Sequence, residues 1–147
     1  MRVSSSVAQC RTVTSVSRIK VAERGKCLII VNESQSRYEV YQVDGCIVRG
    51  QPAADWYLLC GGGRGVIVEL KGRDVEHAVA QIEATIPILK HCGLVQGPLA
   101  AVIVGQQYPS SSPTIQSRMA RLRRDFRVHL TVKNIRLEAE YAALFTR

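Results

Sequence analysis

Three residues in this chain have the types and spacing that phosphate chemistry uses: Asp55, Glu69 and Lys71. Glu69 and Lys71 stand two residues apart in VIVELK at 66–71, a run otherwise wholly apolar. Residues two apart in a strand share one face of the sheet. Two carboxylates on neighbouring strands can hold Mg²⁺ through oxygen and still leave room for waters and a phosphate, with the backbone carbonyl of Leu70 as a third ligand. An ammonium beside them can orient an attacking water and offset charge building up on the phosphate. These are the parts needed for metal-assisted phosphodiester hydrolysis.

Whether the parts meet depends on the elements that carry them. The runs WYLLC at 56–60 and VIVELK flank a GGGRG turn at 61–65, which reads as a hairpin. Pairing symmetric about Gly63 sets Asp55 against Lys71 and Tyr57 against Glu69, with Asp55 diagonal to Glu69. Five loop residues also permit a different register. A Glu–Lys pair can equally decorate the solvated face of an edge strand. Against that, Val66, Ile67, Val68 and Leu70 are apolar on both faces, as in a central strand. Buried charges there are costly without a partner or an ion.

Beyond Gly72, Asp74 is placed to cap a helix whose apolar stripe is Val75, Ala78, Val79, Ile82, Ile86 and Leu89. Pro87 falls inside this pattern, so the helix ends near Thr85 or kinks. Gln81 lies on the flank of the stripe, within reach of the sheet, and His77 points away from it. Asp74 and Glu76 suit the positive end of the helix. Arg73 reads as a solvated arginine, and His91 and His129 as structural.

The remaining chain follows the same logic. Residues 26–31 (KCLIIV) and 37–48 (RYEVYQVDGCIV) read as an antiparallel pair joined through Asn32, Ser34 and Ser36. Residues 99–104 make a strand, 108–113 a loop, 114–126 an arginine-rich helix and 127–133 a last strand, before an acidic-apolar tail. The order is roughly β-β-β-β-α-β-α-β, one α/β domain over 1–147 with a central mixed sheet flanked by helices. Residues 1–17, Ser/Thr-rich and without the compact apolar segment of a secretory signal, are expected to be poorly ordered.

At 147 residues, 46% hydrophobic and 22% charged, the composition is that of a folded domain and excludes a disordered chain. No apolar run reaches the length of a membrane span. The five cysteines are odd in number and scattered without a CxxC pair, which predicts no disulfide, no structural metal and a reducing, cytoplasmic setting. The formal net charge of +8 favours a polyanionic partner. Five arginines crowd into 118–127, and Arg118, Arg121 and Arg124 are the candidates for nucleic-acid backbone contact.

The pattern Asp55, thirteen residues, then Glu69-Leu70-Lys71 resembles the D…(D/E)xK core of the PD-(D/E)XK nuclease superfamily. Gln81 resembles the helical glutamine that follows the ExK strand in several branches. The resemblance spans mainly residues 44–105, and DGC…ADWYLL…VIVELKGRDVEHAVAQIEATI is similar to a group of small bacterial members. It implies a restriction-endonuclease-like fold and a Mg²⁺ (or Mn²⁺) dependent DNA endonuclease. Asp55 and Glu69 would be metal ligands, and Lys71 would assist a water that attacks in line without a covalent intermediate. Gln81 would orient Lys71 or the scissile phosphate. A homodimer or a larger complex would supply the grip on both strands.

Two departures stand out. Pro52 and Asp55 are separated by Ala53-Ala54, and the acid that many members carry on a first helix has only Glu23, Glu33 or Asp44 as substitutes. The alternatives are a catalytically inactive nucleic-acid-binding or structural member of the fold, and an RNA-cleaving nuclease.

Overall fold

The computed structural model describes residues 5–70, 74–106 and 112–146. One helical turn, Ser5–Ala8 (α1), leads into strands Arg11–Thr14 (β1), Arg18–Glu23 (β2), Lys26–Val31 (β3), Tyr38–Gln42 (β4), Trp56–Cys60 (β5) and Gly65–Glu69 (β6). Helix Val75–His91 (α2), strand Leu99–Gly105 (β7), helix Pro113–Phe126 (α3) and strands His129–Asn134 (β8) and Arg136–Glu140 (β9) follow, with a closing 3-10 turn, Tyr141–Phe145.

The strands form two sheets, a six-stranded one in the order β1-β4-β5-β6-β7-β8 and a three-stranded one in the order β2-β3-β9. In the large sheet the pairs β1–β4, β4–β5 and β5–β6 are antiparallel, whereas β6–β7 and β7–β8 are parallel. Parallel neighbours need crossovers, and α2 and α3 supply them. The result is an α/β domain with a mixed sheet between two layers, helices on one face and the small sheet on the other.

Alternation along the strands sorts the core into two. Tyr57, Ile67, Ala101 and Ile103 pack on the helix side against Ala78, Val79, Ile82, Ile86 and Leu89 of α2 and Ile115 and Leu122 of α3. Leu58, Val66, Val68, Leu70, Val102 and Val104 pack on the other side against Ile19, Val21, Leu28, Ile30 and Leu137. Covered on both faces, β6 is buried along its whole length, as its continuous apolar run requires.

Several expectations are corrected. Strands β3 and β4 do not pair: β3 lies between β2 and β9, and β4 between β1 and β5. Strand β2 was hidden in RIKVAE, where Ile19 and Val21 are buried and the charges face out. Arg24 and Gly25, at φ 48° and 83°, close the tight β2–β3 turn, because two left-handed residues match the twist of the paired strands. Buried Asn32 then steers the chain from one sheet to the other, donating to the Val16 and Ser36 carbonyls and accepting the Ser36 N–H.

The N-terminal segment is also part of the fold, since β1 pairs with β4, Arg11 opposite Tyr41. The Gln42 N–H donates to the Cys10 carbonyl at 3.0 Å. This pairing brings Cys10 to Cys46, with Cα atoms 5.8 Å apart, and the two form a disulfide. The expectation of no disulfide is therefore wrong, and cysteine usage no longer supports a reducing compartment. The spacing of 36 residues carried no signal because the bond follows from sheet pairing. No described helix is long and apolar enough to cross a membrane.

Candidate active site

Glu69 ends β6, the strand at the centre of the large sheet, and is 1% exposed; Asp55, just before β5, is 3% exposed. The register between them differs from the symmetric expectation. Trp56 faces Val68 and Tyr57 faces Ile67, so one further step along the ladder brings Asp55 across from Glu69 rather than Lys71. The cause is the turn. The Cys60 N–H donates to the Arg64 carbonyl at 3.1 Å across Gly61–Gly63. Gly62 and Gly63 take φ of 83° and 80°, where only glycine is unstrained. Gly63 is also pressed against Gln96, whose carbonyl oxygen lies 2.9 Å from where a Cβ would be. A turn centred on Gly62 moves every partner by two residues.

At Asp55 the ladder gives way to side-chain bonding. The Asp55 N–H donates to the Val68 carbonyl at 3.0 Å, and the Asp44 N–H occupies the Ala54 carbonyl at 3.1 Å. The Asp55 carboxylate instead takes the Leu70 N–H, Oδ2 at 2.8 Å. This charge-assisted bond holds the carboxylate against the backbone that follows Glu69. Leu70 thus serves Asp55 through its amide, while its side chain is buried on the opposite face of the sheet.

Helix α2 holds the same loop from above. Thr85 is fully buried; its hydroxyl accepts the Ala54 N–H at 2.8 Å and donates to the Gln81 carbonyl at 2.7 Å. Ala53 and Ala54, which separate Pro52 from Asp55, are the small buried residues that let this approach happen. Gln81 is half-buried one turn before Thr85, on the helix face that meets the Asp55 loop. Thr85 was missed in the sequence, where it passes for a gap in the apolar stripe. Pro87 does not end α2, which runs on to His91. The proline is exposed, so the carbonyl it leaves without a donor can turn to water. Asp74 caps the helix as expected, accepting the Glu76 N–H at 2.9 Å.

Lys71 and Arg73 lie outside the described residues. Of the substitutes for a further acid, Glu23 and Glu33 belong to the small-sheet strands β2 and β3 or their ends. Asp44 is the acid whose backbone adjoins Ala54 and Asp55. Among the described residues no three His, Cys, Asp or Glu side chains gather as a ligand set. The donors for an ion would then be two carboxylates, one at the end of β6 and one just before β5, and backbone oxygen. This hard, oxygen-only set fits Mg²⁺ or Mn²⁺, which keep several waters, and does not fit a soft metal.

Tyr57 is structural. It is fully buried with its hydroxyl donating to the Leu94 carbonyl at 2.9 Å, and burial pushes its pKa up. Gly65 exists for this ring, since a Cβ there would lie 2.6 Å from Tyr57 Cζ. His129 is likewise engaged, Nδ1 3.1 Å from the Leu144 carbonyl.

The arginine helix is less free than its sequence suggests. Arg118 pairs with Glu76 at 3.1 Å, Arg121 with Glu83 at 3.2 Å, and Arg124 with Asp125 at 2.8 Å. The first two bonds clasp α3 to α2. Hydrogen bonding from Arg124 holds the Asp125 carboxyl below the usual range. Arg123 and Arg127 have no carboxylate partner among the described residues. The sequence does not show that Arg118 and Arg121 are paired, because their partners Glu76 and Glu83 lie on α2.

Comparison with protein-family models, with curated proteins and with solved structures finds no match.

Proposed function

We propose that the protein is a Mg²⁺- or Mn²⁺-dependent endonuclease that hydrolyses DNA phosphodiester bonds on a restriction-endonuclease-like core. The observation that carries this is the Asp55 carboxylate bonded to the Leu70 amide, beside buried Glu69 at the end of the central strand. The order of elements supports it: an antiparallel β4-β5-β6 meander, then α2 crossing to the parallel strand β7. Ligands of α/β sheets gather at the carboxyl ends of the parallel strands, and Glu69 stands at such an end.

Asp55, Glu69 and the Leu70 carbonyl would hold the ion. When bound, it would acidify a water and polarise the scissile phosphate. Lys71 would hydrogen-bond the attacking water and offset the charge developing on the phosphate. Gln81, on the face of α2 that meets the Asp55 loop, would orient Lys71 or the phosphate. Both carboxylates are buried, one at the end of β6 and one just before β5, and the Leu70 amide would hold Asp55 in place before substrate binds.

A second reading, a catalytically inactive nucleic-acid-binding member, draws on the absence of a third clustered acid among the described residues. Incubation with supercoiled plasmid, branched DNA and RNA in Mg²⁺ or Mn²⁺ separates the readings. Wild type should cut DNA, and Glu69→Gln and Lys71→Ala should cut at least about 100-fold more slowly. Binding without cleavage would support the inactive member, and faster cleavage of RNA would make RNA the substrate. Variants that cut as fast as wild type would dismiss the site.

A further inference from the structure

The charge that α3 keeps free lies at its C-terminal end, beside a cavity of about 370 Å³ lined by Arg123, Arg127, Val128, His129, Phe145 and Thr146. Among the described residues its lining carries two guanidinium groups and no carboxylate. The described cavity beside Glu76 and Arg118 differs, because there the arginine faces an acid 3.1 Å away. Arg127 ends the helix in the left-handed region, φ 57°, with its N–H on the Arg123 carbonyl at 3.0 Å. That cap fixes where the Arg127 backbone leaves the helix, one turn beyond Arg123. Phe145 is held by Tyr141, ring centroids 5.4 Å apart, so one wall is a packed aromatic ring. Phe126, between the two arginines in sequence, keeps 36% of its surface exposed.

We infer that this pocket binds a phosphate oxyanion of a single nucleic-acid strand, with Arg123 and Arg127 as its ligands and Phe126 as a stacking surface for an adjacent base. Guanidinium groups match phosphate oxygens in fork geometry, and arginines with no carboxylate partner among the described residues need give up none of those to do so. An exposed aromatic residue next in the chain to such cations matches the composition of strand-binding surfaces, where each base has a face to stack. A free phosphate or mononucleotide offers the same oxyanion without the stacked neighbour, which is why the exposed ring favours the strand.

His129 begins β8 opposite Ala100, and Glu69 faces Ile103, three residues further along β7. The pocket and Glu69 therefore stand on the order of 15 Å apart, at opposite ends of the strands. A strand occupying both would run across the parallel half of the sheet. This deepens the nuclease reading by giving its substrate a second hold, but the test below needs no cleavage.

The test is fluorescence anisotropy with a labelled single-stranded oligonucleotide and with a labelled mononucleotide, in EDTA, across a series of salt concentrations. Arg123→Gln with Arg127→Asn removes both charges, and asparagine tolerates the left-handed backbone at 127. This variant should bind the oligonucleotide at least about tenfold more weakly, with a salt slope lower by about 0.7 for each phosphate it no longer neutralises. Phe126→Ala should weaken the oligonucleotide at least about fivefold and leave the mononucleotide unchanged. Removing the paired Arg118, Arg121 and Arg124 together should cost less than the pocket variant. Thermal melting identifies any variant that fails to fold, and Arg123→Lys with Arg127→Lys then repeats the test with charge kept and the forks removed. Unchanged affinity and slope in the folded pocket variants would overturn the inference, as would mononucleotide binding as tight as that of the oligonucleotide. Loss of cleavage with binding intact would count against the nuclease reading alone.

Discussion

Replacing Thr85 with valine tests how α2 secures the Asp55 loop. The two side chains are nearly isosteric, and both are β-branched residues of similar helix propensity. What changes is one hydroxyl that accepts the Ala54 N–H at 2.8 Å and donates to the Gln81 carbonyl at 2.7 Å. The Gln81 carbonyl sits inside α2, where the helix ladder supplies another donor. The Ala54 N–H has no such recourse, because Ala54 and Thr85 are both fully buried. An orphaned buried amide costs about 1–3 kcal/mol. In a domain of this size each kcal/mol lowers Tm by roughly 3 °C. Thr85→Val should therefore lower the urea-derived unfolding free energy by about 1–3 kcal/mol and Tm by roughly 3–9 °C. Thr85→Ser keeps the hydroxyl and loses a methyl, so it should cost about 1 kcal/mol or less. Amide hydrogen exchange separates the two, since Ala54 should lose protection in the valine variant and keep it in the serine variant. A valine variant within about 0.5 kcal/mol of wild type, with Ala54 equally protected, would refute the reasoning.

Two further perturbations follow from other contacts. The Cys10–Cys46 bond closes a loop of 36 residues, so reduction, or Cys10→Ser with Cys46→Ser, should remove about 4 kcal/mol by the chain-entropy relation. Urea melts with and without reductant measure this, and superimposable curves would contradict it. Glu138 joins Arg18 at 2.6 Å and Arg136 at 2.8 Å, and hydrogen bonds from Arg18 first and Arg136 second hold its pKa down to about 2. Because the folded value is depressed, its contribution to stability is present above its ordinary value near 4.5 and is lost as pH falls towards about 2. Side-chain NMR should find the midpoint near 2 at low salt and higher at high salt, and a folded-state midpoint near 4.5 would refute the pairing.

Much of the framework around Glu69 was legible because it depends on local pattern. The apolar run at 66–70 required a strand covered on both faces, and α2 and the small sheet cover β6. Asp74 before a helical stripe required a cap, and it is one. The Glu69 carboxylate at the end of such a strand was the one anomaly in the pattern, and it led to Asp55. Where local and global preferences disagreed, the sequence misled. Pro87 reads as a helix breaker, yet it is exposed and the packed stripe on the other face carries α2 past it.

Pairing between distant segments was decided only by tertiary structure. A strand's alternation states which face is buried but not which strand lies beside it. That is how β3 and β4 came to different sheets and how Cys10 met Cys46. Register belongs to the same class, since every step along a glycine-rich turn is sterically open until a neighbour such as Gln96 closes it. Charge shows the limit most plainly. Five arginines within ten residues are equivalent as sequence, but Glu76 and Glu83 on a second helix pair two of them, Asp125 a third, and Arg123 and Arg127 keep their charge beside the cavity. Residue types set which charges were available, and the packing of α2 against α3 decided the partners of Arg118 and Arg121.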